Sequence, residues 1–427
     1  MKKVFIAIVL LALCISVSAQ NRFGDYFHNK TLRLDVVFGA GRVETQVFLK
    51  TVSEQKIYSG PHKNLCCQHD KGAYRYCLYD SKSGELIFSK GFCSLLNEWI
   101  ATPEAKKVNR VFSHALCMPY PKNNVRFVIQ QRMYKTGKFH EIFSYDLDPN
   151  SYLIGKENKV NYKVNKIHYS GKPRKNLDIT FIAEGYKKSE MRKFRSDVKK
   201  IAKYMLARDV YKPYADRINI WAVESVSHES GTDNPGKGVY RNTVLNSSFY
   251  TFNIERYLTT LDHIAIMDAA SCAPCDAVIV IVNTPKYGGG GFYNYYALGS
   301  SDHRLSKQVM VHEFGHSFAG LADEYYTSSV ATENFYNLEV EPWEPNITTN
   351  VDFKSKWQDM IKSGIPVPTP RIKKYKNVVG MFEGGGYVSK GVYSPVQDCV
   401  MKSNNLKEFC PVCKRAIQKT IEKYLED

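Results

Sequence analysis

The chain has 427 residues, 44% of them hydrophobic and 24% charged, a globular composition long enough for two cores rather than one. Its formal charge of +17 is strongly basic, but pairs such as Lys106-Lys107, Lys187-Lys188, Lys199-Lys200 and Lys373-Lys374 are scattered, which argues against a nucleic-acid-binding arm. Beyond the first residues, no stretch approaches the roughly 18 uninterrupted apolar residues of a membrane helix, so no integral membrane segment is expected.

Met1-Lys2-Lys3, an apolar run from Val4 to Val17 and Val17-Ser18-Ala19 before Gln20 have the layout of a cleavable secretory signal over residues 1–19. Export to the periplasm, cell surface or medium follows. Cys14 as a lipidation site is disfavoured, because Leu13 stands where the signal peptidase needs a small side chain. Removing Lys2 and Lys3 lowers the charge from +17 to +15, which suits a solubilising surface and leaves attraction to acidic glycans or the cell surface as a second reading. Ten cysteines remain, an even number that predicts disulfides in an oxidising compartment.

From Thr31 to about Tyr162 the chain repeats short β-rich runs, such as Leu32–Phe38 and Val125–Ile129, broken by turns such as Ser83-Gly84. This predicts an N-terminal all-β sandwich over residues 20–163 that holds five of the ten cysteines. Val164 to Asn176 reads as a linker, and residues 164–427 as a second, α/β domain. Leu177–Ile182 and Ile218–Val223 are strand-like, and Met191, Phe194, Val198, Ile201 and Met205 have helical spacing within Ser189–Leu206. Ala277–Val282 is the clearest buried strand. It is either internal or an edge that pairs with an extended peptide. Gly288 to Gly291 lacks the Lys-Ser/Thr of a phosphate loop and reads as a mobile rim of a substrate cleft.

A helix from about Ser306 carries the chemistry. His312 and His316, four residues apart, present both imidazoles on one face and can grip one zinc ion. Glu313 is placed to take a proton from a metal-bound water and pass it to a leaving amine. Such a pattern is expected by chance only about 0.03 times in a chain of this composition. Gly320 can end the helix in a left-handed turn that brings Asp323 back as third ligand, with Glu324 as nearest competitor and Glu333 or Glu339 as distant ones.

Several stretches together resemble the bacterial IgA-peptidase family of zinc metallopeptidases, relatives of the metzincins. They are His312–Tyr326, Asn242–Phe249, Met381–Tyr387 with Ser389–Tyr393, and Cys399-Val-Met401 followed by Phe409–Cys413. The resemblance implies a metzincin-like catalytic domain behind a β domain, zinc held by His312, His316 and Asp323, Glu313 as base, and Met401 in a turn beneath the metal. Gly320 and Asp323 lie four and seven residues after His316, one more than in ordinary metzincins. Without the resemblance, Met401 reads as a core methionine. Cys272-x-x-Cys275 and Cys410-x-x-Cys413 read as disulfide cysteines, with Cys399 included, rather than as a four-cysteine zinc site.

The expectation is a secreted zinc endopeptidase with a protein or peptide substrate, immunoglobulins being the substrate the family name suggests. The competing reading is a glycan- or protein-binding surface protein with a non-catalytic metal.

Overall fold

The computed structural model describes residues 23–66, 71–156, 160–326, 335–404 and 406–425. The predicted signal, Cys67 and Glu333 lie outside these.

The N-terminal part is β-rich, as expected. After the short helix α1 (Phe23–Tyr26) come β1 (Phe27–Ala40), β2 (Gln46–Gln55), β3 (Tyr74–Asp80) and β4 (Leu86–Phe92). A short helix α2 (Leu95–Trp99) leads to β5 (Arg110–Pro121), β6 (Val125–Arg132) and β7 (Phe139–Leu147). These strands form two antiparallel sheets, ordered β2-β1-β5 and β4-β3-β6-β7. Leu34, Phe38, Tyr74, Phe92 and Phe127 belong to their shared core. In β1, every residue from Thr31 to Val36 is buried, although a sandwich strand normally wets one face. Both faces of β1 are covered, because Arg33 and Asp35 on the second face are enclosed by the following domain.

That domain is a six-stranded mixed sheet ordered β12-β13-β11-β9-β10-β8. It contains β8 (Lys163–His168), β9 (Leu177–Glu184), α3 (Met191–Leu206), β10 (Ile218–Glu224), α4 (His263–Ala270), β11 (Ala277–Val282), β12 (Gly289–Phe292), β13 (Tyr296–Ser300) and α5 (Ser306–Ala319). A hairpin of β14 (Phe382–Gly385) and β15 (Val388–Ser394) and the closing helix α6 (Pro411–Tyr424) complete it. Strands β9, β10, β11 and β13 are parallel and buried on both faces, which suits the continuous apolar run of β11, while β9 and β10 also bury Asp178, Thr180 and Asn219. One face packs with Phe194, Phe314 and Ile417 of α3, α5 and α6. The other joins the N-terminal core through Ile182, Val280 and Ile266.

Two expectations need correction, and one open alternative is decided. The supposed linker Val164–Asn176 supplies β8, antiparallel to β10; a register shift at Ile220/Trp221 breaks the alternation that would have revealed a strand. β11 is internal, between β13 and β9, so it offers no free edge. Gly289–Gly291 are not a loop but part of β12, which ends the sheet.

The disulfides expected of Cys272, Cys275, Cys399, Cys410 and Cys413 are also not found: these five, like Cys93 and Cys117, carry free thiols. Cys272 and Cys275 lie by the carbonyls of Val160 and Ala277, whereas Cys399, Cys410 and Cys413 gather together.

The two domains meet through a buried polar seam. Arg33, 3% exposed, pairs with Asp35 and with Asp268 of α4, each at 2.6 Å. His263 Nδ1 accepts the Ala115 N–H at 3.1 Å, while His114 Nε2 lies 2.9 Å from Ser94 Oγ. Burial lowers the His114 imidazole to about 3 and pushes His263 well below its usual value, so both are neutral. The unfolded chain, with imidazoles near 6.5, therefore takes up protons first. The stability from His114 should be intact above about pH 6.5 and lost as pH falls toward about 3. At pH 5 this loss is roughly 2 kcal/mol. Urea denaturation between pH 7.5 and 5 measures it, and a His114→Gln variant should show a correspondingly shallower pH dependence.

Candidate metal centre and cleft

The helix α5 presents His312 and His316 on one side, their Nε2 atoms 3.0 Å apart. Gly320 then caps it in the left-handed region (φ 67°, ψ 36°), where a side chain would be strained, and its N–H returns to the His316 carbonyl at 3.0 Å. The reversed chain carries Asp323 back, with Oδ1 at 3.1 Å from His312 Nε2 and 3.4 Å from His316 Nε2. A carboxylate oxygen of Glu313 lies within 4.8 Å of the imidazole ligand atoms.

Each ligand candidate is held from behind. His312 Nδ1 is 3.0 Å from the Val400 carbonyl and His316 Nδ1 is 2.6 Å from the Leu321 carbonyl. A carbonyl can only accept, so both protons sit on Nδ1 and both Nε2 lone pairs face inward. The Tyr325 and Tyr387 hydroxyls donate to Asp323 Oδ2 at 2.9 and 2.7 Å, leaving Oδ1 buried without a hydrogen-bond partner. Two imidazole nitrogens and an orphaned carboxylate oxygen are a suitable donor set for a divalent metal. Tetrahedral bonds of about 2.0–2.1 Å require ligand atoms about 3.3 Å apart, close to these separations.

The electrostatics agree with this geometry. Burial opposes ionisation of Asp323, but the two imidazoles hold it well below the usual carboxylate range. Burial would likewise lower His316, yet Asp323 and Glu313 lift it to about 9, so the pocket attracts positive charge. Burial raises Glu313, partly offset by His312 and His316.

The remaining candidates separate clearly. Glu324 turns away from the histidines to Asn346 and Cys413, and Glu339 is exposed. Met401 sits in a turn beneath α5, its sulfur 2.9 Å from where a side chain on Gly315 would begin. Its carbonyl accepts the Glu324 N–H at 2.8 Å, so the turn supports the loop that carries Asp323 as well as His312.

The centre opens into a cleft of about 1240 Å³, larger than the roughly 300–1,000 Å³ typical of small-molecule sites. Both domains line it. Glu98, Arg132 and Tyr134 come from the β domain and face Tyr287, Trp343 and Tyr387. Tyr257 donates to Glu98, whose carboxyl burial raises to about 7, and Asn337 Nδ2 reaches the Tyr134 carbonyl at 3.1 Å. These wall residues were missed in the sequence, where nothing ties Glu98 to a motif more than two hundred residues away. Tyr387 left a signal: it follows the Gly384–Gly386 run at the hairpin turn, where the Gly386 and Tyr387 N–H groups bind the Asp323 and Tyr325 carbonyls.

The glycines of β12 are a steric requirement. A Cβ on Gly291 would lie 2.2 Å from the Glu313 carbonyl oxygen, and one on Gly289 would lie 3.0 Å from Glu313 Oε1. The sheet edge therefore presses its bare backbone against the helix that carries the histidines.

Two imidazole nitrogens and a carboxylate oxygen suited to a metal, with a further carboxylate beside them on the wall of a large cleft, are the arrangement expected of a metallopeptidase. Comparison with known families gives the same class: the model for IgA Peptidase M64 matches residues 165–376 and 371–421, and that for the Peptidase M64 N-terminus matches residues 22–144. The chain belongs to the IgA peptidase M64 family and is a peptidase acting on a protein or peptide substrate. No curated protein matches it.

Tyr387→Phe removes one of two bonds that orient Asp323 and should weaken divalent-metal affinity about 10–100-fold, measured by competition with a chromogenic chelator. Gly291→Ala should destabilise the fold by about 1–3 kcal/mol through overpacking, read from the denaturant midpoint.

Proposed function

We propose that this chain is an exported zinc endopeptidase in which His312, His316 and Asp323 hold the metal and Glu313 is the general base. The observation that carries the reading is the convergence of His312 Nε2, His316 Nε2 and Asp323 Oδ1 within 3.4 Å of one another, with Glu313 close by. Zinc in such a site lowers the pKa of a bound water and polarises the scissile carbonyl.

The chain's own residues do the rest. Val400 and Leu321 fix the imidazole tautomers, and Tyr325 and Tyr387 keep Asp323 ionised and aimed. Glu313 takes the proton of the attacking water and delivers it to the departing amine. Gly289, Gly290 and Gly291 of β12 line the substrate path beside α5, while Arg132 and Tyr134 line it from the other domain. An open two-walled cleft suits cleavage within a chain, and extracellular proteins, immunoglobulins among them, are the substrate class that this reading implies.

Export rests on the amino-terminal pattern of Lys2-Lys3, an apolar run and Val17-Ser18-Ala19. Among the described residues, no helix is long and apolar enough to cross a membrane. The glycan-binding alternative gains no support, and Glu313 beside the ligand trio weighs against an idle metal, because a structural site needs no base.

Glu313→Gln should lower hydrolysis of a mixed peptide library by at least about 10²–10⁴-fold while the protein keeps its zinc. His316→Ala should lose both zinc and turnover. Peptide hydrolysis by Glu313→Gln at the wild-type rate, or wild-type activity unaffected by a zinc chelator, would refute the assignment.

A further inference from the structure

A second cluster of metal-binding groups lies behind the cleft. Glu324, Cys399, Cys410 and Cys413 each place a ligand atom within 4.8 Å of the other three, and all four residues are buried. We propose that they form a structural zinc site of three thiolates and one carboxylate, separate from the centre on α5.

The distances fit a tetrahedron. Zinc–sulfur bonds of about 2.3 Å place sulfurs about 3.8 Å apart, and mixed sulfur–oxygen edges come to about 3.5 Å. Cys399 Sγ and Cys413 Sγ are 3.9 Å apart, and Cys413 Sγ is 3.2 Å from Glu324 Oε1. A disulfide needs about 2.05 Å, and pairing any two of the three cysteines would strand the third beside a carboxylate.

The backbone is arranged for thiolates. Cys410 caps α6 and accepts the Cys413 N–H at 3.4 Å, while Cys399 Sγ accepts the Cys410 N–H at 3.3 Å. Helix α6 thus directs its N-terminal N–H groups at sulfur, which favours negative charge there. Glu324 Oε1 accepts from Asn346 Nδ2 at 3.0 Å, but Oε2 is buried with no partner, although its residue is 0% exposed. A fully buried carboxylate with one oxygen against a cysteine sulfur, two more thiols close by and its second oxygen unpartnered calls for a cation. The sulfur-rich set selects zinc over the hard, oxygen-seeking ions.

The location explains what such an ion does. Glu324 follows Asp323 directly. Cys399 precedes Val400 and Met401, whose carbonyls bind His312 and the Glu324 N–H. One ion would therefore clamp the third-ligand loop, the methionine turn and the start of α6 together, so that the hydrolytic centre is preorganised by metal bonds rather than by loop packing alone.

Zinc content of the full chain, purified without chelator, should be about two equivalents, falling to about one in the His312→Ala/His316→Ala double variant. X-ray absorption at the zinc edge of that double variant should show sulfur neighbours at about 2.3 Å, a measurement that does not depend on the cysteine variants folding. Cys413→Ser, where it folds, should lose the sulfur signal and keep the nitrogen- and oxygen-bound zinc. A double variant without zinc, zinc without sulfur neighbours, or a disulfide among Cys399, Cys410 and Cys413 in peptide mass mapping would each overturn the proposal. Wild-type protein with a single, sulfur-bound zinc would uphold this site and instead remove the zinc from α5, so the two readings fail separately.

Discussion

The second domain depends on one costly arrangement: two imidazole lone pairs and a carboxylate oxygen facing one another at 3.0–3.4 Å at the floor of the cleft. Without positive charge among them such groups repel, and nothing local in α5 would keep them together. The fold holds them from outside. Two main-chain carbonyls set the imidazole protons, two tyrosine hydroxyls hold the far oxygen of Asp323, and Gly320 supplies the turn that delivers it. The supports come from the turn at Val400, the loop at Leu321 and the β14–β15 hairpin, segments distant in the chain. The site is thus a property of the whole tertiary structure, although its recognisable motif occupies only five residues.

The β domain takes part in this scheme. Its second sheet face is sealed by α4 through Arg33, Asp268 and two neutral histidines, and the hydrophobic core runs unbroken from Phe38 to Val280. That union places Glu98, Arg132 and Tyr134 on the cleft wall opposite the glycine-rich strand. Arg33 and Asp35 alternate with Leu32, Leu34 and Val36 like the wet face of a sandwich strand, and periodicity alone assigns them to solvent. They are in fact the buried polar contacts between domains, a role visible only once α4 is in place.

Other features were legible to the extent that their causes are local. The strand-like residues of β9 and β10, the continuous apolar run of β11, the helical spacing in α3 and the two histidines of α5 follow from short-range pattern, and the structure places these elements within a residue or two of expectation. Gly320 was readable because a left-handed cap is a property of a single residue. β8 escaped notice because its partner β10 is irregular, and β12 because three glycines resemble a loop until the helix that forbids side chains there is known. The cysteines misled for a related reason. Even numbers and an oxidising compartment favour crosslinks, but pairing is decided by where the chain brings sulfur atoms together, and it brings three of them to Glu324.

The bare main chain of β12 has a consequence for molecular discrimination. Three successive glycines put no side chains of their own on the cleft, so this stretch offers no pocket by which one residue is told from another. Selectivity must then come from the other lining residues, among them Tyr287, Trp343 and Tyr387 and, from the β domain, Arg132 and Tyr134. Inhibitors that reach from the histidines toward Arg132 and Tyr134 would engage features foreign to peptidases that have the same helix but a different neighbour, whereas compounds confined to the metal would not discriminate among them.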